Sequence, residues 1–196
     1  MYPGKPANGD KTYAQLIQAE YTPVAGWPNE KAVPETLGTI LSDFIPPAGI
    51  NNCLFLRFGD GLNTYSNKFK KIPLYEFEFA DANALVNGVG IAKPYPEFSM
   101  GAVHSSALNY FFPGYSNNSK INAPDLQPES RELAKTMVRS WSNFVKTGVP
   151  DAQWPQYGKG KKVMLWEPGN VGLYNAAAQH KCAFWDGLYP QHSSFK

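Results

Sequence analysis

The sequence predicts a protein of the α/β class, in which helices alternate with a small number of strands. Two segments, Ile72 to Phe79 and Val163 to Trp166, are typical of strands because β-favouring aromatic and branched residues follow one another there. Pro128 to Lys146 is the clearest helix, with a proline suited to its first turn and Gly148 suited to its exit. Seventeen prolines and seventeen glycines separate the elements by long loops.

Three shorter helices precede the first strand. They are predicted over Thr12 to Glu20, Glu35 to Phe44 and Ile50 to about Leu62, where apolar residues are frequent. Pro34 suits the first turn of the second helix, because a proline there removes no helical hydrogen bond. The Gly59-Asp60-Gly61 region predicts the end of the third helix.

The predicted core comes mainly from these helices, and it includes Phe55 and Leu56. In the long helix, apolar and aromatic residues share one face at helical spacing, which is typical of a buried stripe. This stripe consists of Leu133, Met137, Trp141, Phe144 and Val145. Gln179 to Leu188 is the last predicted helix, and no second-domain boundary is visible in the sequence.

Composition excludes several functional classes. Hydrophobic residues make up 43% of the 196 residues, which is ample for a core, and the net charge is +2. Lysines cluster only in small groups without a basic face, so we expect no nucleic-acid partner. No apolar run approaches the ~20 residues of a membrane span, and the residues after Met1 lack the pattern of a signal peptide.

His104 is the candidate catalytic residue. It lies in a semi-apolar loop downstream of the strand that ends at Phe79, and Gly101 lets the backbone approach closely there. A lone histidine in such a loop is more often structural than catalytic. Imidazole nevertheless suits acid–base chemistry, because its unperturbed pKa of ~6.5 lets it accept a proton and return it.

The segment around this histidine resembles a known family. Gly101 to Phe112, with the sequence GAVHSSALNYFF, is similar to the histidine-bearing segment of type-B carboxylesterases, the cholinesterase-like branch of the α/β-hydrolases. Trp141 to Gly148 with the following Trp154-Pro155, and the run Cys182 to Trp185, resemble later parts of the same family. The resemblance implies the C-terminal part of an α/β-hydrolase fold, with a few sheet strands, packing helices and long loops.

The resemblance also implies a role for His104, as the general base of a Ser-His-Asp/Glu triad. Triad order in α/β-hydrolases runs serine, acid, histidine along the chain, with the serine in a Gly-x-Ser-x-Gly turn. This sequence contains no Gly-x-Ser-x-Gly and no HGGG-type oxyanion segment. We therefore expect residues 1–196 to be the C-terminal segment of a type-B carboxylesterase domain, with the nucleophile-bearing N-terminal part absent.

No triad acid can be matched within the sequence. Glu78, Asp81 and Glu97 precede His104 and are candidates by position. The family's acid, however, belongs to a loop after an earlier strand, and we expect it only a few residues before Met1.

The sequence departs from the family next to the histidine. Relatives usually carry a glycine directly after it or a glutamate three positions after it, where Ser105 and Ala107 stand. Ser105 and Ser106 are interpreted as ordinary polar loop residues rather than nucleophiles, because neighbouring side chains point in different directions.

Cys53 and Cys182 are, by composition alone, as consistent with free buried thiols as with a disulfide. The resemblance favours a bridge, because the matching cysteines of cholinesterases are joined. Such a bridge would indicate an oxidising compartment, either periplasmic or outside the cell.

The function expected from the resemblance is carboxylic ester hydrolysis through an acyl-enzyme, with a small-molecule ester as substrate and no cofactor. A non-hydrolytic binding or adhesion protein with the same fold, or an inactive remnant, is the alternative. His180 and His192 are assigned to the surface, because neither shows metal-ligand spacing. We further expect the chain to need its N-terminal counterpart or an oligomeric partner, since a truncated sheet exposes apolar edges.

Overall fold

The computed structural model describes residues 6–9, 11–21, 32–44, 51–70, 73–80, 102, 105–113, 126–158 and 161–189. The chain divides into two compact units. Unit 1 comprises Met1–Gly61 and Ala176–Lys196, and unit 2 comprises Leu62–Asn175. One boundary between the units falls inside a helix, between Gly61 and Leu62, and the other falls between a strand and a helix, at Asn175 and Ala176.

Helices and strands are interspersed along the chain. In chain order they are β1 (Pro6–Asn8), β2 (Lys11–Thr12), α1 (Tyr13–Glu20), α2 (Ala32–Asp43), α3 (Asn52–Tyr65), a π-helical turn (Ser66–Lys70), β3 (Glu76–Phe79), α4 (Leu108–Phe111), α5 (Pro128–Thr147), β4 (Val163–Trp166), β5 (Gly172–Tyr174), α6 (Ala176–Gln179) and α7 (Cys182–Leu188).

Unit 1 begins with the antiparallel pair β1–β2, which leads directly into α1. Thr12 caps this helix, because its side-chain oxygen accepts a hydrogen bond from the Gln15 backbone N–H. The Gln15 side chain in turn accepts a 2.8 Å hydrogen bond from the Thr12 backbone N–H. This reciprocal capping box satisfies backbone donors that would otherwise lack partners, and so fixes the start of the helix.

The core of unit 1 is largely aromatic. The Trp185 side chain is 1% exposed, and its ring centroid lies 5.1 Å from that of Phe44. Tyr189 stacks on Phe44 with ring centroids 5.5 Å apart. The other buried members are Ile17, Tyr21, Ile40, Cys53 and Cys182. Residues of α1, α2, α3 and α7 therefore share one core.

The disulfide implied by the resemblance is present. Cys53 at the start of α3 is bonded to Cys182 at the start of α7, with Cα atoms 5.4 Å apart and a sequence separation of 129. Both cysteines are buried in the unit 1 core. The bond holds together two helices that are distant in sequence.

Unit 2 contains a mixed sheet with strand order β3-β4-β5. Strands β3 and β4 are parallel, with Glu76 opposite Val163 and Phe79 opposite Trp166. Strand β5 runs antiparallel to β4. A long crossover that contains α4 and α5 joins the parallel pair, as parallel strands require.

One face of this sheet is packed with aromatic side chains. Because side chains alternate along a strand, Phe77 and Phe79 point to the same face. The Phe77 ring lies 4.8 Å from Trp141 of α5, and the Phe79 ring lies 4.7 Å from Tyr110 of α4. Trp166 of β4 is 1% exposed and lies 5.5 Å from Trp141. Helices α4 and α5 therefore cover this face.

Most predicted elements are confirmed, but several boundaries are wrong. Helix α3 does not end at Gly59–Gly61. It continues by about one more turn, to Tyr65, because single glycines weaken a helix without ending it. Strand β3 is shorter than predicted, and β5 was missed because three residues give no clear alternation. The last helix, α7, begins at Cys182 rather than at Gln179, because Lys181 adopts a left-handed φ of 51° just before it, and the short helix α6 that precedes it is not among the predicted elements.

Three core assignments are also wrong. Leu56 packs against the unit 1 core, but Phe55 is 48% exposed. Phe144 and Val145 near the end of α5 are 42% and 81% exposed, whereas Leu133 of the same stripe is buried. Helical spacing shows which residues share one face of a helix. It does not show whether other helices or strands bury that face along its whole length.

Among the described residues, none of the helices combines the length and the apolar character needed to cross a lipid bilayer.

Replacing both Cys53 and Cys182 by serine should lower the free energy of unfolding by about 4–5 kcal/mol, because the bridge closes a long loop in the unfolded chain. Urea unfolding without reductant measures this loss. Reductant should destabilise the wild type by a similar amount and leave the double variant unchanged. Alkylation of two thiols in the denatured, unreduced wild type would contradict the bridge.

Candidate active site

The segment that follows the predicted base is described, although His104, Asp81 and Glu97 lie outside the described residues. Ser105 adopts a φ of 70°, in the left-handed region. Its carbonyl accepts a 3.1 Å hydrogen bond from the backbone N–H of Leu108. The chain therefore turns sharply directly after His104 and enters α4.

The left-handed conformation of Ser105 gives a physical reason for the glycine that the resemblance leads us to expect at this position. An L-residue in this conformation brings its Cβ close to the following carbonyl, which costs roughly 1–2 kcal/mol, whereas glycine has no Cβ. The departure from the family at Ser105 thus places strain in the turn beside the predicted base.

Helix α4 is firmly anchored in unit 2. Tyr110 is 1% exposed and contacts Phe79, the last residue of β3. The neighbouring Phe111 ring lies 4.9 Å from Trp141 of α5. In open α/β sheets, functional groups gather outside the carboxyl ends of the strands. The residues just after His104 are therefore held near the carboxyl end of β3, where such groups are expected.

Two polar side chains of this segment are buried without a hydrogen-bond partner in the described part of the chain. Ser106 is 2% exposed and Asn109 is 3% exposed. The Ser106 hydroxyl and both amide atoms of Asn109 are unpartnered there. A buried unsatisfied polar group typically costs about 1–3 kcal/mol, so this segment is a locally unfavourable part of unit 2.

Glu78, one of the three candidate acids, points away from α4. It lies between Phe77 and Phe79 in β3, so its side chain is on the opposite face of the sheet. There its carboxyl accepts a hydrogen bond from the Tyr174 hydroxyl of β5. The structure thus brings Glu78 together with Tyr174 and not with the segment that follows His104.

Glu76 lies on the same face of β3 as Glu78 and is the most perturbed carboxyl that the structure describes. Burial raises the pKa of Glu76 from its usual 4.5 to about 7. A carboxyl that is neutral near pH 7 can exchange protons under physiological conditions. Sequence reasoning gave Glu76 no special role, because an alternating Glu–Phe pattern is equally typical of an exposed strand face.

His180, which was assigned to the surface, is buried in unit 1, so that assignment is wrong. The His180 Nδ1 atom lies 2.7 Å from Asp43 Oδ1 and 3.1 Å from Asn52 Nδ2. Tyr21 donates a 2.7 Å hydrogen bond to the other oxygen of Asp43, and Trp185 Nε1 donates to the Tyr21 hydroxyl at 2.8 Å. The carboxyl of Asp43, 1% exposed, thus links two aromatic side chains to the histidine.

The state of Tyr21 follows from these contacts. Burial raises the pKa of the Tyr21 hydroxyl well above its usual range, and the hydrogen bond to Asp43 raises it further. The hydroxyl therefore stays protonated and serves as a permanent donor to Asp43. No local spacing could reveal this network, because its members come from separate elements of the fold.

The described ranges contain no group of three or more His, Cys, Asp or Glu side chains able to hold a metal ion.

The sequence was compared with those of known proteins. The profile of the carboxylesterase family matches residues 3–185. The chain belongs to the carboxylesterase family. This result confirms the predicted resemblance and the α/β-hydrolase fold class, and the helices with a small mixed sheet are consistent with part of such a domain.

The curated relatives of this carboxylesterase-family chain are longer proteins. It is 30% identical to acetylcholinesterase 1 of Caenorhabditis briggsae over 111 residues, which is 49% of the chain and 17% of that protein. It is 25% identical to acetylcholinesterase of Bungarus fasciatus over 194 residues, 94% of the chain and 28% of that protein. It is 27% identical to carboxylesterase 4A of Bos taurus over 123 residues, 60% of the chain and 20% of that protein. The chain thus spans less than a third of the length of these relatives.

Replacing Ser105 by glycine should raise the free energy of unfolding by about 0.5–1 kcal/mol, because relief of the left-handed strain exceeds the added backbone entropy of glycine. Chemical denaturation measures the change. Ser142→Gly is the matched control, since Ser142 lies inside α5, where the same substitution should destabilise by about 0.5–1 kcal/mol. Destabilisation by both variants would contradict the left-handed turn.

The raised pKa of Glu76 predicts that stability falls as pH rises between about 4.5 and 7, because the folded state holds its proton more tightly than the unfolded state. A rise in pKa from 4.5 to about 7 corresponds to at most ~3.4 kcal/mol, and we expect about 1–2 kcal/mol because the carboxyl is only partly buried. Urea unfolding at pH 5 and pH 8 measures this loss.

Glu76→Gln cannot ionise and should therefore remove this pH dependence. Glu132→Gln makes the same change at an exposed site on α5, and it should keep the dependence of the wild type. Parallel pH profiles for the wild type and Glu76→Gln would contradict the assignment to Glu76.

Proposed function

We propose that this chain is the histidine-bearing part of a carboxylic ester hydrolase that works through a serine acyl-enzyme. Membership of the carboxylesterase family over residues 3–185 is the observation that carries the proposal. Two features favour this proposal: the sharp turn at Ser105 and the anchoring of α4 near the carboxyl end of β3. Both give the segment directly after His104 a rigid attachment, as a catalytic residue requires.

In this proposal His104 is the general base. One ring nitrogen accepts the proton of the serine hydroxyl as its oxygen attacks the ester carbonyl, and the other nitrogen donates to a carboxylate that fixes the tautomer. The imidazolium then gives its proton to the leaving alcohol. A water repeats the sequence on the acyl-enzyme, which releases the acid and the free serine. Backbone amides that bind the oxyanion contribute about 10²–10³ in rate for each donor.

The nucleophilic serine and the acid belong, in this proposal, to polypeptide outside residues 1–196. The sequence offers no Gly-x-Ser-x-Gly turn. Glu78 is the candidate acid that lies within the described residues. Its carboxyl accepts a hydrogen bond from the Tyr174 hydroxyl, on the face of the sheet opposite to α4. The substrate is a small-molecule ester, and the chemistry needs no cofactor.

We further propose that the protein works outside the cytoplasm. The Cys53–Cys182 disulfide supports this location, because such bonds persist mainly in periplasmic, secreted or cell-surface proteins.

Hydrolysis of p-nitrophenyl acetate tests the role of His104. We expect no enzymatic turnover from the 196-residue chain alone. When the chain is expressed in one reading frame with the polypeptide encoded before Met1, turnover should appear. His104→Ala should reduce this turnover by about 10²–10⁴-fold, which is the usual contribution of a general base. His192→Ala is the matched histidine control and should keep full activity.

Three results would count against this proposal. Equal activity of His104→Ala and wild type would remove the histidine from the mechanism. Turnover by the 196-residue chain alone, abolished both by His104→Ala and by a serine-directed organophosphate, would show that the chain contains a complete triad. Absence of the family's serine turn in the encoded upstream sequence would instead favour the non-hydrolytic alternative.

A further inference from the structure

His180 lies in the two-residue connection between α6 and α7. Its Nδ1 atom is 2.7 Å from Oδ1 of Asp43, the last residue of α2. Asn52, the first residue of α3, lies 3.1 Å from the same ring nitrogen. Lys181, the other residue of the connection, adopts a left-handed φ of 51°, so the chain turns sharply there. The His180 side chain thus attaches the α6–α7 connection to the ends of two other helices.

The contact between His180 and Asp43 requires a proton on Nδ1, because a carboxylate oxygen lies 2.7 Å from a ring nitrogen when it accepts a hydrogen bond from it. The proton on the second ring nitrogen, Nε2, is the one that titrates. When both nitrogens are protonated, the ring carries a positive charge beside the Asp43 carboxylate. An opposite charge at this distance favours the charged form of a histidine, whereas burial opposes it.

The surroundings of Asp43 decide between these two effects. Asp43 is 1% exposed, and its second oxygen accepts a hydrogen bond from the uncharged hydroxyl of Tyr21. Among the described residues, no lysine or arginine forms an ion pair with Asp43. A buried carboxylate without a counter-charge is strongly unfavourable. The protonated ring of His180 is therefore the group that balances the charge of Asp43.

The other charged groups on the surrounding helices are paired with one another. Glu20 at the end of α1 accepts a 3.1 Å hydrogen bond from Lys181. Arg57 of α3 forms an ion pair with Asp186 of α7. The Tyr21 hydroxyl stays protonated, because burial raises its pKa well above its usual range. The histidine ring is thus the member of this cluster that suits a change of charge near neutral pH.

The same connection encloses the disulfide. His180 precedes Cys182 by two residues, and its carbonyl oxygen lies 3.3 Å from Sγ of Cys53. Both cysteines are buried. A reductant therefore needs a local opening of unit 1 to reach the sulfur atoms. Movement of the α6–α7 connection would provide this opening, and it would also break the contact between His180 and Asp43.

We propose that the Asp43–His180 pair is a pH-sensitive switch that controls reduction of the Cys53–Cys182 disulfide. While the ring is protonated, it holds the α6–α7 connection against α2 and the disulfide stays enclosed. When the ring loses its proton, Asp43 loses its counter-charge and the connection opens more often. An external dithiol then supplies two electrons and two protons, becomes a cyclic disulfide, and leaves Cys53 and Cys182 as thiols. This switch does not depend on the proposed ester hydrolysis.

Opening should become more frequent as pH rises. The protonated ring is more stable in the closed connection than in the open one. The stabilisation is therefore complete below the ordinary histidine pKa of ~6.5, and it is lost as pH rises above that value. Each pH unit by which Asp43 raises the titration of the ring changes the opening equilibrium about tenfold.

The rate of disulfide reduction by a water-soluble phosphine tests the switch. The rate for the folded chain is divided by the rate for the same chain unfolded in urea, at pH 5.5 and at pH 8.5. This division removes the pH dependence of the reductant itself. Thiols are counted by mass after maleimide labelling. For the wild type we expect the ratio to rise about tenfold between the two pH values, which corresponds to one pH unit of altered titration.

Two variants remove one charge of the pair while keeping a polar side chain. His180→Gln should make the ratio equal at the two pH values, and Asp43→Asn should abolish the rise. His192→Gln makes the same change at another histidine and should keep the rise. Glu76→Gln should keep it as well, which separates the switch from the pH dependence predicted for unit 2. Circular dichroism and an intact disulfide check that each variant folds.

Proton NMR of histidine rings gives a second measurement, in which the pair itself stays intact. The ring protons of His180 are those that remain in the spectra of both His104→Gln and His192→Gln. They should titrate about one pH unit above the ordinary ~6.5 of histidine.

The inference is wrong if the wild-type ratio stays level or falls as pH rises, because the ring would then be neutral in the closed connection. It is also wrong if His180→Gln retains the rise, since another group would then cause it. Titration of the His180 ring at or below ~6.5 would equally overturn it, even if both variants of the pair failed to fold.

Discussion

The bond between Cys53 and Cys182 is the constraint on which unit 1 depends. It joins α3 to α7 although the two cysteines are 129 positions apart in sequence. With α7 held there, Trp185 fills the aromatic core and His180 reaches the carboxyl of Asp43. A buried carboxyl is costly unless its oxygens are hydrogen-bonded, and here both oxygens have partners. The covalent link and the polar network therefore stabilise the same arrangement of helices.

In unit 2 the corresponding constraint is the packing of aromatic rings on one face of the sheet. Phe79 at the end of β3 holds Tyr110, and Tyr110 holds the short helix that follows the predicted base. A helix as short as α4 is not stable by itself, so tertiary packing must supply its stability. The position of the proposed catalytic segment is thus a consequence of the core rather than of local propensity.

Both units contain features that are unfavourable for a self-sufficient protein. Apolar side chains of α2 and α3 face solvent in unit 1. In unit 2, Ser106 and Asn109 are buried without partners among the described residues, and the pKa of Glu76 is raised by burial. Natural sequences avoid such costs unless another part of the assembly or the function compensates for them. These features, in a chain that spans under a third of the length of these relatives, are consistent with part of a larger α/β domain.

The sequence by itself determined the long helix α5, because helix signals are local, and its motifs read in order indicated the family. The pairing of Cys53 with Cys182 is implied only by that resemblance, and the structure confirms it. The sequence also predicted most helices, yet it misjudged the end of α3, the exposure of Phe55 and the existence of β5. Those features depend on which elements lie across from them, which no local pattern encodes. Only the tertiary structure revealed the buried His180–Asp43 contact and the left-handed turn at Ser105. The His180–Asp43 contact joins residues that are 137 positions apart in sequence, so only folding brings them together. The backbone of Ser105 is held in its left-handed conformation by the packing of the helix that follows it.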